Sequence, residues 1–293
     1  MPILEAPSGL VVEMRKMRGA EVVALAERAD DAGAGKFGAI VGPCWVRTVD
    51  PGPYSFVLEG DAKPPFDRML TGDMLAAFVF LRRISMPDGN HYDFEVRCER
   101  CGKGYGWRVR LDEHLRTQPL PAASVERLRR GEAMETHVDG RAVRFHLQTI
   151  GHETLVEKML RKQKRQVATI VDLLAARIVS VEGLKPGEAA RWDWVSDLAI
   201  DDLYGLRDAM DEQDCGLDTL LRTACEARDC RWEQDVVLPL GGSFFLPKRR
   251  PRPAPPAPEP SSSEDSSGDS AASTSGPSST TSSGPSTAAA ATA

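Results

Sequence analysis

The chain has 293 residues, 41% of them hydrophobic, enough for one substantial core or two small ones, and a net charge of −6. Beyond residue 247 the charges cancel, Lys248, Arg249, Arg250 and Arg252 against Glu259, Glu264, Asp265 and Asp269. The acidic balance therefore belongs to the part before the tail and argues against a general nucleic-acid coat, which rests on a clustered positive field. Six cysteines in a chain this long make no disulfide scaffold, Met1-Pro-Ile-Leu-Glu5 is no signal sequence, and the apolar run at residues 74–81 is too short to span a bilayer, so a cytoplasmic protein with no membrane contact is expected.

In chain order, residues 10–17 alternate as a strand, with Leu10, Val12 and Met14 on one face and Glu13 and Arg15 on the other, and Gly19 ends it. A short helix is expected over 20–30, its apolar stripe formed by Val22, Val23, Leu25 and Ala26. Gly33-Ala-Gly-Lys36-Phe37-Gly38 has the look of a phosphate loop, but Asp30 stands where the Walker pattern needs glycine and Phe37 where it needs Ser or Thr. A plain loop is expected there. Residues 41–58, broken by Pro43, Pro51, Gly52 and Pro53, read as irregular strands or loop around Cys44 and Trp45. The stretch 74–84, apolar nearly all round, forms a core helix that Asp73 is placed to cap.

Pro87-Asp88-Gly89 turns the chain into its most informative stretch. Cys98-Glu99-Arg100-Cys101-Gly102 is a C-x2-C pair followed by glycine, flanked by period-two runs: Phe94 and Val96 before it, Tyr105, Trp107, Val109 and Leu111 after it. That pattern is a metal knuckle at a hairpin tip, where a tight turn aims both sulfurs at one point and glycine relieves the backbone that follows. Structural zinc takes four ligands in a tetrahedron, so a second pair is required, and Cys225 and Cys230 supply it from a second strand-like context, residues 219–240. Trp232 stands shortly after its knuckle as Trp107 does after the first. The pair is C-x4-C, a looser spacing, and no glycine follows Cys230; the competing reading is four ordinary reduced cysteines. Four thiolates on Zn2+ leave a local charge of about −2, which Arg97, Arg100, Lys103, Arg228 and Arg231 lie near enough in sequence to offset. Cys44 and Cys215 are spare, expected as small buried residues.

Further on, residues 124–130 read as a polar helix and 136–147 as a hairpin around Asp139-Gly140. One long helix is expected over 152–179, burying Val156, Met159, Leu160, Val167, Ile170, Val171, Leu174 and Ile178 and exposing Lys158, Arg161, Lys162, Lys164 and Arg165. His152-Glu153 opens it but misses the H-E-x-x-H protease pattern, since Val156 stands in place of the second histidine. His137, His146 and His152 are read as strand or helix-end residues. An acidic helix follows over 200–213, capped by Asp201 or its neighbour, with Leu203, Leu206 and Met210 buried; its acids pair with the basic face or are simply solvated. Phe244 and Phe245 either close the core or form a contact surface. From Lys248 the composition turns to Pro, Ser, Thr and Ala, and residues 248–293 are expected to be a disordered tail.

The expected architecture is α+β: helices packed with β-hairpins, including a zinc-ribbon-like pair of knuckles, in a single domain over 1–247 with 1–90 and 91–247 as candidate sub-units. Leu4-Glu-Ala-Pro-Ser-Gly9, Met69-Leu-Thr-Gly-Asp73 with the helix ending Leu81-Arg-Arg-Ile84, Tyr92-Asp-Phe-Glu-Val-Arg-Cys98-Glu-Arg-Cys101, and Leu238-Pro-Leu240 with Ser243-Phe-Phe-Leu-Pro247 follow one another in this order. On these, over most of residues 4–247, the sequence resembles the phage T4 base plate protein family, hub assembly factors of contractile-tailed phages and related injection systems. The resemblance implies two C-x2-C pairs at these places, from which the second pair here departs. It also implies a non-catalytic assembly chaperone or hub component, with baseplate hub or tail subunits as partners and incorporation into the particle left open. The absence of a nucleophile elbow, an intact phosphate loop or a paired acid-base motif agrees with a non-enzymatic role. A zinc-ribbon protein binding nucleic acid through the basic helix is the alternative. An enzyme using the metal ranks last, because four sulfur ligands leave no open position.

Overall fold

Alternating residues near the chain's start build the first sheet. The structure, a computed structural model, describes residues 1–27, 34–240 and 244–245. Strands β1 (Ile3–Glu5) and β2 (Val11–Met14) lead through helices α1 (Gly19–Glu27) and α2 (Ala34–Cys44) to β3 (Trp45–Asp50), and the strands pair antiparallel in the order β1-β2-β3. After a 3-10 turn at Phe66–Arg68 come α3 (Thr71–Ser85), β4 (His91–Arg97), β5 (Gly104–Arg110), α4 (Leu111–His114), β6 (Arg116–Gln118) and α5 (Ala122–Arg129). Then follow β7 (Met134–Val138), β8 (Arg141–Phe145), α6 (Ile150–Gln163), α7 (Ile170–Arg177), β9 (Ile178–Val181), α8 (Glu188–Asp197), α9 (Ile200–Asp211), β10 (Gly216–Asp218), β11 (Leu220–Ala224) and β12 (Glu233–Val237). Besides the first sheet there are a β7-β8-β9 sheet and three two-stranded pairs, β4-β5, β6-β10 and β11-β12. The architecture is α+β, and one cluster of buried side chains runs from Leu4 to Phe245 through its centre. Among the described residues no helix is long and apolar enough to cross a membrane.

Helix α3 is the hub of that core. Met74, Phe78 and Leu81 are fully buried, and the aromatic pair Phe244 and Phe245 closes over Phe78, with ring centroids 5.6 and 4.7 Å away. Of the two readings of Phe244-Phe245, closure of the core is the observed one. Asp73 does not cap the helix as expected. Leu70 holds the N-cap position without a side-chain bond, while the Asp73 carboxylate accepts from the Ser8 amide (3.0 Å), the Ser8 hydroxyl (2.5 Å) and the Tyr54 hydroxyl (2.5 Å). An acid buried this deeply is held because three donors replace its water.

Several other expectations are corrected by tertiary contacts. Helix α2 occupies 34–44, where a loop was expected over 33–38, with Pro43 tolerated in its last turn, and of the irregular strands or loop expected over 41–58 a strand, β3, forms at Trp45–Asp50; Gly33 lies outside the described residues. In α1 the buried positions are Glu21 and Leu25, while Val23 is exposed, because Glu21 bonds Arg15 at 2.7 Å. The long helix expected over 152–179 is two helices and a strand. Lys164 takes φ +56° and ends α6, and Thr169 with Asp172 forms a capping box that starts α7. Arg165 bonds that same Asp172 at 2.7 Å, and Val167, in the break, is exposed rather than buried. The N-cap of α9 is Ala199, without a side-chain bond, so Asp201 and its neighbour do not cap it. The hairpin around Asp139-Gly140 is as expected, with φ +50° and +69° at the two turn residues. The tail from residue 246 lies outside the described residues.

Candidate metal centre

The two knuckles stand at the ends of two hairpins remote in sequence. In the β4-β5 hairpin, Tyr92, Phe94, Val96, Tyr105 and Val109 face the core, and Arg97 pairs with Gly104 at its end. In the β11-β12 hairpin, Leu221 and Thr223 face inward and Ala224 pairs with Glu233. Hydrogen bonds clip the two hairpins together. Gln234 is buried; its amide accepts from the Glu99 N–H and donates to the Arg97 carbonyl, both at 2.9 Å, so one side chain brackets the approach to Cys98. Tyr105 and Thr223 share a hydroxyl–hydroxyl bond of 3.0 Å, and the Tyr92 hydroxyl donates to the Pro239 carbonyl at 3.0 Å. No sequence motif marks Gln234; its only signal is a polar residue at an inward-facing strand position.

This docking brings Cys98, Cys101, Cys225 and Cys230 together, with all four sulfurs within 4.8 Å of one another. Cys98 lies 3.7 Å from Cys230 and Cys101 lies 3.7 Å from Cys225, so each close contact joins one hairpin to the other. Four sulfurs about 2.3 Å from a tetrahedral zinc would stand about 3.8 Å apart. The donor set and its spacing therefore fit a four-thiolate centre. Cys44 and Cys215 are buried elsewhere, and burial raises both thiols, Cys44 to about 11.

The looser second knuckle is built like the first. In each, the first cysteine's N–H donates to the carbonyl two residues past the second cysteine: Cys98 to Lys103 at 2.9 Å, Cys225 to Trp232 at 2.8 Å. In each, the residue after the second cysteine is left-handed, Gly102 at φ +71° and Arg231 at φ +49°. Arginine accepts that conformation at a cost of about 1–2 kcal/mol, so the glycine missing after Cys230 is a strain, not a different loop. The two extra residues are absorbed in the turn at 227–230, where the Cys230 N–H returns to the Ala227 carbonyl at 2.9 Å. Trp232 is consequently the counterpart of Lys103, not of Trp107. It lies 43% exposed, with the Arg100 guanidinium 5.5 Å from its ring centre, whereas Trp107 sits within β5 opposite Phe94.

Backbone amides aim at the sulfurs. The Cys101 and Arg100 N–H groups lie on Cys98 and draw its thiol down to about 7. Cys225 receives the Ala227 N–H and Cys230 the Trp232 N–H, but desolvation and the neighbouring thiols leave both raised, Cys225 to about 11. Adjacent thiols disfavour one another's anionic form, and a cation between them relieves that opposition.

Other buried polar groups form ties that the sequence did not signal. Arg177, almost fully buried, donates to the Asp214 carboxylate at 2.9 Å and the Met210 carbonyl at 3.4 Å, and Asp214 accepts the Gln148 N–H at 2.8 Å. The acidic helix thus meets Arg177 through Asp211 at 3.4 Å rather than the basic face of α6. Among the histidines, His137 lies in β7, His146 follows β8, and His152 accepts the Thr149 N–H at 3.1 Å, completing the capping box of α6. Comparison with protein-family models, curated proteins and solved structures finds no match for this chain.

Proposed function

We propose that Cys98, Cys101, Cys225 and Cys230 hold one structural zinc, and that the protein is a non-catalytic assembly chaperone or component of a phage-tail or contractile-injection baseplate hub. The observation that carries the metal is the convergence of four thiols from two hairpins at tetrahedral spacing, with all six sulfur pairs inside 4.8 Å. With every position taken by sulfur the ion binds no substrate, and its chemistry is to tie residues 98–101 to 225–230. The baseplate role is supported by the ordered run of sequence features from Leu4 to Pro247 described above, and its partners would be hub or tail subunits met in the cytoplasm. The alternative, a nucleic-acid-binding ribbon, has exposed Lys158, Arg161, Lys162 and Lys164 in its favour and the acidic net charge against it.

Quantitative mass spectrometry of purified tail or injection particles, beside crude lysate from cells expressing the protein at its natural level, tests the assembly role. Co-purification with hub subunits from lysate but absence from particles identifies a chaperone that leaves. Stoichiometric presence in particles identifies a structural component. Absence from both rejects the role, whatever metal the protein carries.

A further inference from the structure

A cavity of about 430 Å³, open to solvent, lies where the 3-10 turn at Phe66–Arg68, the first turn of α6 and the β7-β8 hairpin meet the end of α5. Backbone contacts hold its walls. The Ile150 N–H donates to the Met69 carbonyl at 3.1 Å and Thr149 bridges Leu70, so the start of α6 lies against the 3-10 turn. Gly151 permits that approach, because a Cβ there would stand 2.8 Å from the Asp67 carbonyl oxygen. Met134 and Leu147, both buried, and Phe56 and Leu128, both half-buried, supply the apolar lining.

Three nitrogen-bearing side chains line the same space. The Arg68 guanidinium carbon lies 4.0 Å from the centre of the Phe56 ring, and its N–H groups meet no acceptor among the described residues. An arginine stacked in this way is preorganised and leaves its fork of donors for a planar anion. The His146 and His152 rings lie nearly parallel, with centroids 6.5 Å apart. His152 Nδ1 accepts the Thr149 N–H, so its neutral ring carries the proton on Nε2, which has no partner among the described residues. Desolvation lowers both rings from 6.5, His152 to about 4, so at neutral pH they are uncharged donors. Of the acids that also line the cavity, Glu132 is paired with Arg130 at 3.0 Å, and Asp67 is exposed, where water and salt screen it. One unpaired guanidinium, uncharged donors and apolar side chains suit a singly charged anion with an apolar body better than a phosphate.

We infer that this cavity binds a small monocarboxylate with an apolar body, an arylalkanoic or medium-chain fatty acid. The carboxylate takes the Arg68 guanidinium and an imidazole N–H, and the body lies along Phe56, Leu128 and Met134. The volume falls within the range of about 300–1,000 Å³ that small-molecule sites occupy. The site shares no residue with the thiol cluster and stands independently of the assembly role.

NMR titration of the full-length protein, as purified, with 3-phenylpropionate and with octanoate tests it. The chain has five histidines, so the imidazole signals of His146 and His152 can be followed beside those of His91, His114 and His137. Saturable shifts of His146 and His152 are expected, with a Kd of about 1 mM or tighter, while His91 and His114 stay in place. Arg68→Gln should weaken binding about tenfold or more, and so should replacing the acid by 3-phenylpropionamide, since each removes a charge-assisted hydrogen bond. Acetate, which has the charge without the body, should also bind about tenfold or more weakly. No saturable shift at about 10 mM of either acid overturns the inference. Equal affinity for acid and amide does so too, as does an Arg68→Gln variant that binds unchanged. Saturation by a peptide with a free C-terminal phenylalanine, but by neither acid, overturns it and gives the cavity to the terminus of another chain. Arg68 is exposed, so its variant should keep the circular dichroism of the unaltered protein. If it fails to fold, the comparison of acid with amide still decides.

Discussion

Replacing one ligand of the four-thiol cluster should behave as the loss of a long-range cross-link. Cys101 and Cys225 are 124 residues apart in sequence, and Cys98 and Cys230 are 132 apart. Closing a loop of this span removes chain entropy from the unfolded state worth about 5 kcal/mol when the link is covalent and unstrained. In a domain of this size that corresponds to about 10–20 °C in Tm. Cys98→Ser should approach that loss, because the hydroxyl is not a thiolate ligand. Cys44→Ser puts a hydroxyl into a fully buried apolar site and should cost about 1–2 kcal/mol, or about 2–8 °C. Thermal unfolding of both variants and the unaltered protein, with and without a strong zinc chelator and with metal content measured in parallel, separates the two effects. Chelation should bring the unaltered protein down to the Cys98→Ser value and leave Cys98→Ser itself unmoved, while the offset of Cys44→Ser should persist. The clips through Gln234 and Tyr105 predict that the metal-free protein still folds. Equal losses for the two variants, or no effect of chelation on a protein found to hold zinc, would refute the cross-link reasoning.

Other outcomes follow from single contacts. Burial pushes His152 from 6.5 to about 4, so the fold favours its neutral ring; that stability is present above pH 6.5 and is lost as pH falls toward 4, on the order of 3 kcal/mol by pH 4. His152→Gln, which keeps an acceptor at the same capping-box position, should flatten the difference in urea-unfolding free energy between pH 7 and 4.5, and an unchanged difference would place the pH dependence elsewhere. At Gly72 an added Cβ would stand 2.2 Å from the backbone oxygen of Cys215, whereas at Gly205 it would meet nothing within 4 Å. Gly72→Ala should therefore cost more than about 3 kcal/mol, and Gly205→Ala should add up to about 1 kcal/mol of helix stability. Phe244→Ala opens a cavity beside Phe78 and Tyr92 and should cost about 3–5 kcal/mol in chemical denaturation; a loss under 1 kcal/mol would mean that the aromatic pair does not close the core.

Much of the local structure was legible in the sequence because its causes are local. Period-two alternation marked β4, β5 and the hairpin at Asp139-Gly140, and an apolar run marked α3. Cysteine spacing marked all four members of the cluster, since a knuckle is a short-range turn and the need for a second pair follows from ligand number alone. What the sequence could not decide were matters of partner choice across the fold. Asp73 looks like a helix cap until Ser8 and Tyr54 arrive from the first sixty residues to claim it. Val167 fits a helical stripe until Lys164 turns left-handed and the Thr169 capping box restarts the chain. Gln234 is an ordinary strand residue until backbone groups 135 and 137 residues earlier in the chain supply its donor and acceptor. Composition and periodicity mark the main apolar stripes and the tight turns with their own residue signals, because those preferences act within a few residues. Which buried polar group meets which partner, and which charged faces stay unpaired, is set only when distant segments dock, because desolvation makes each such group take whatever donor or acceptor tertiary packing brings.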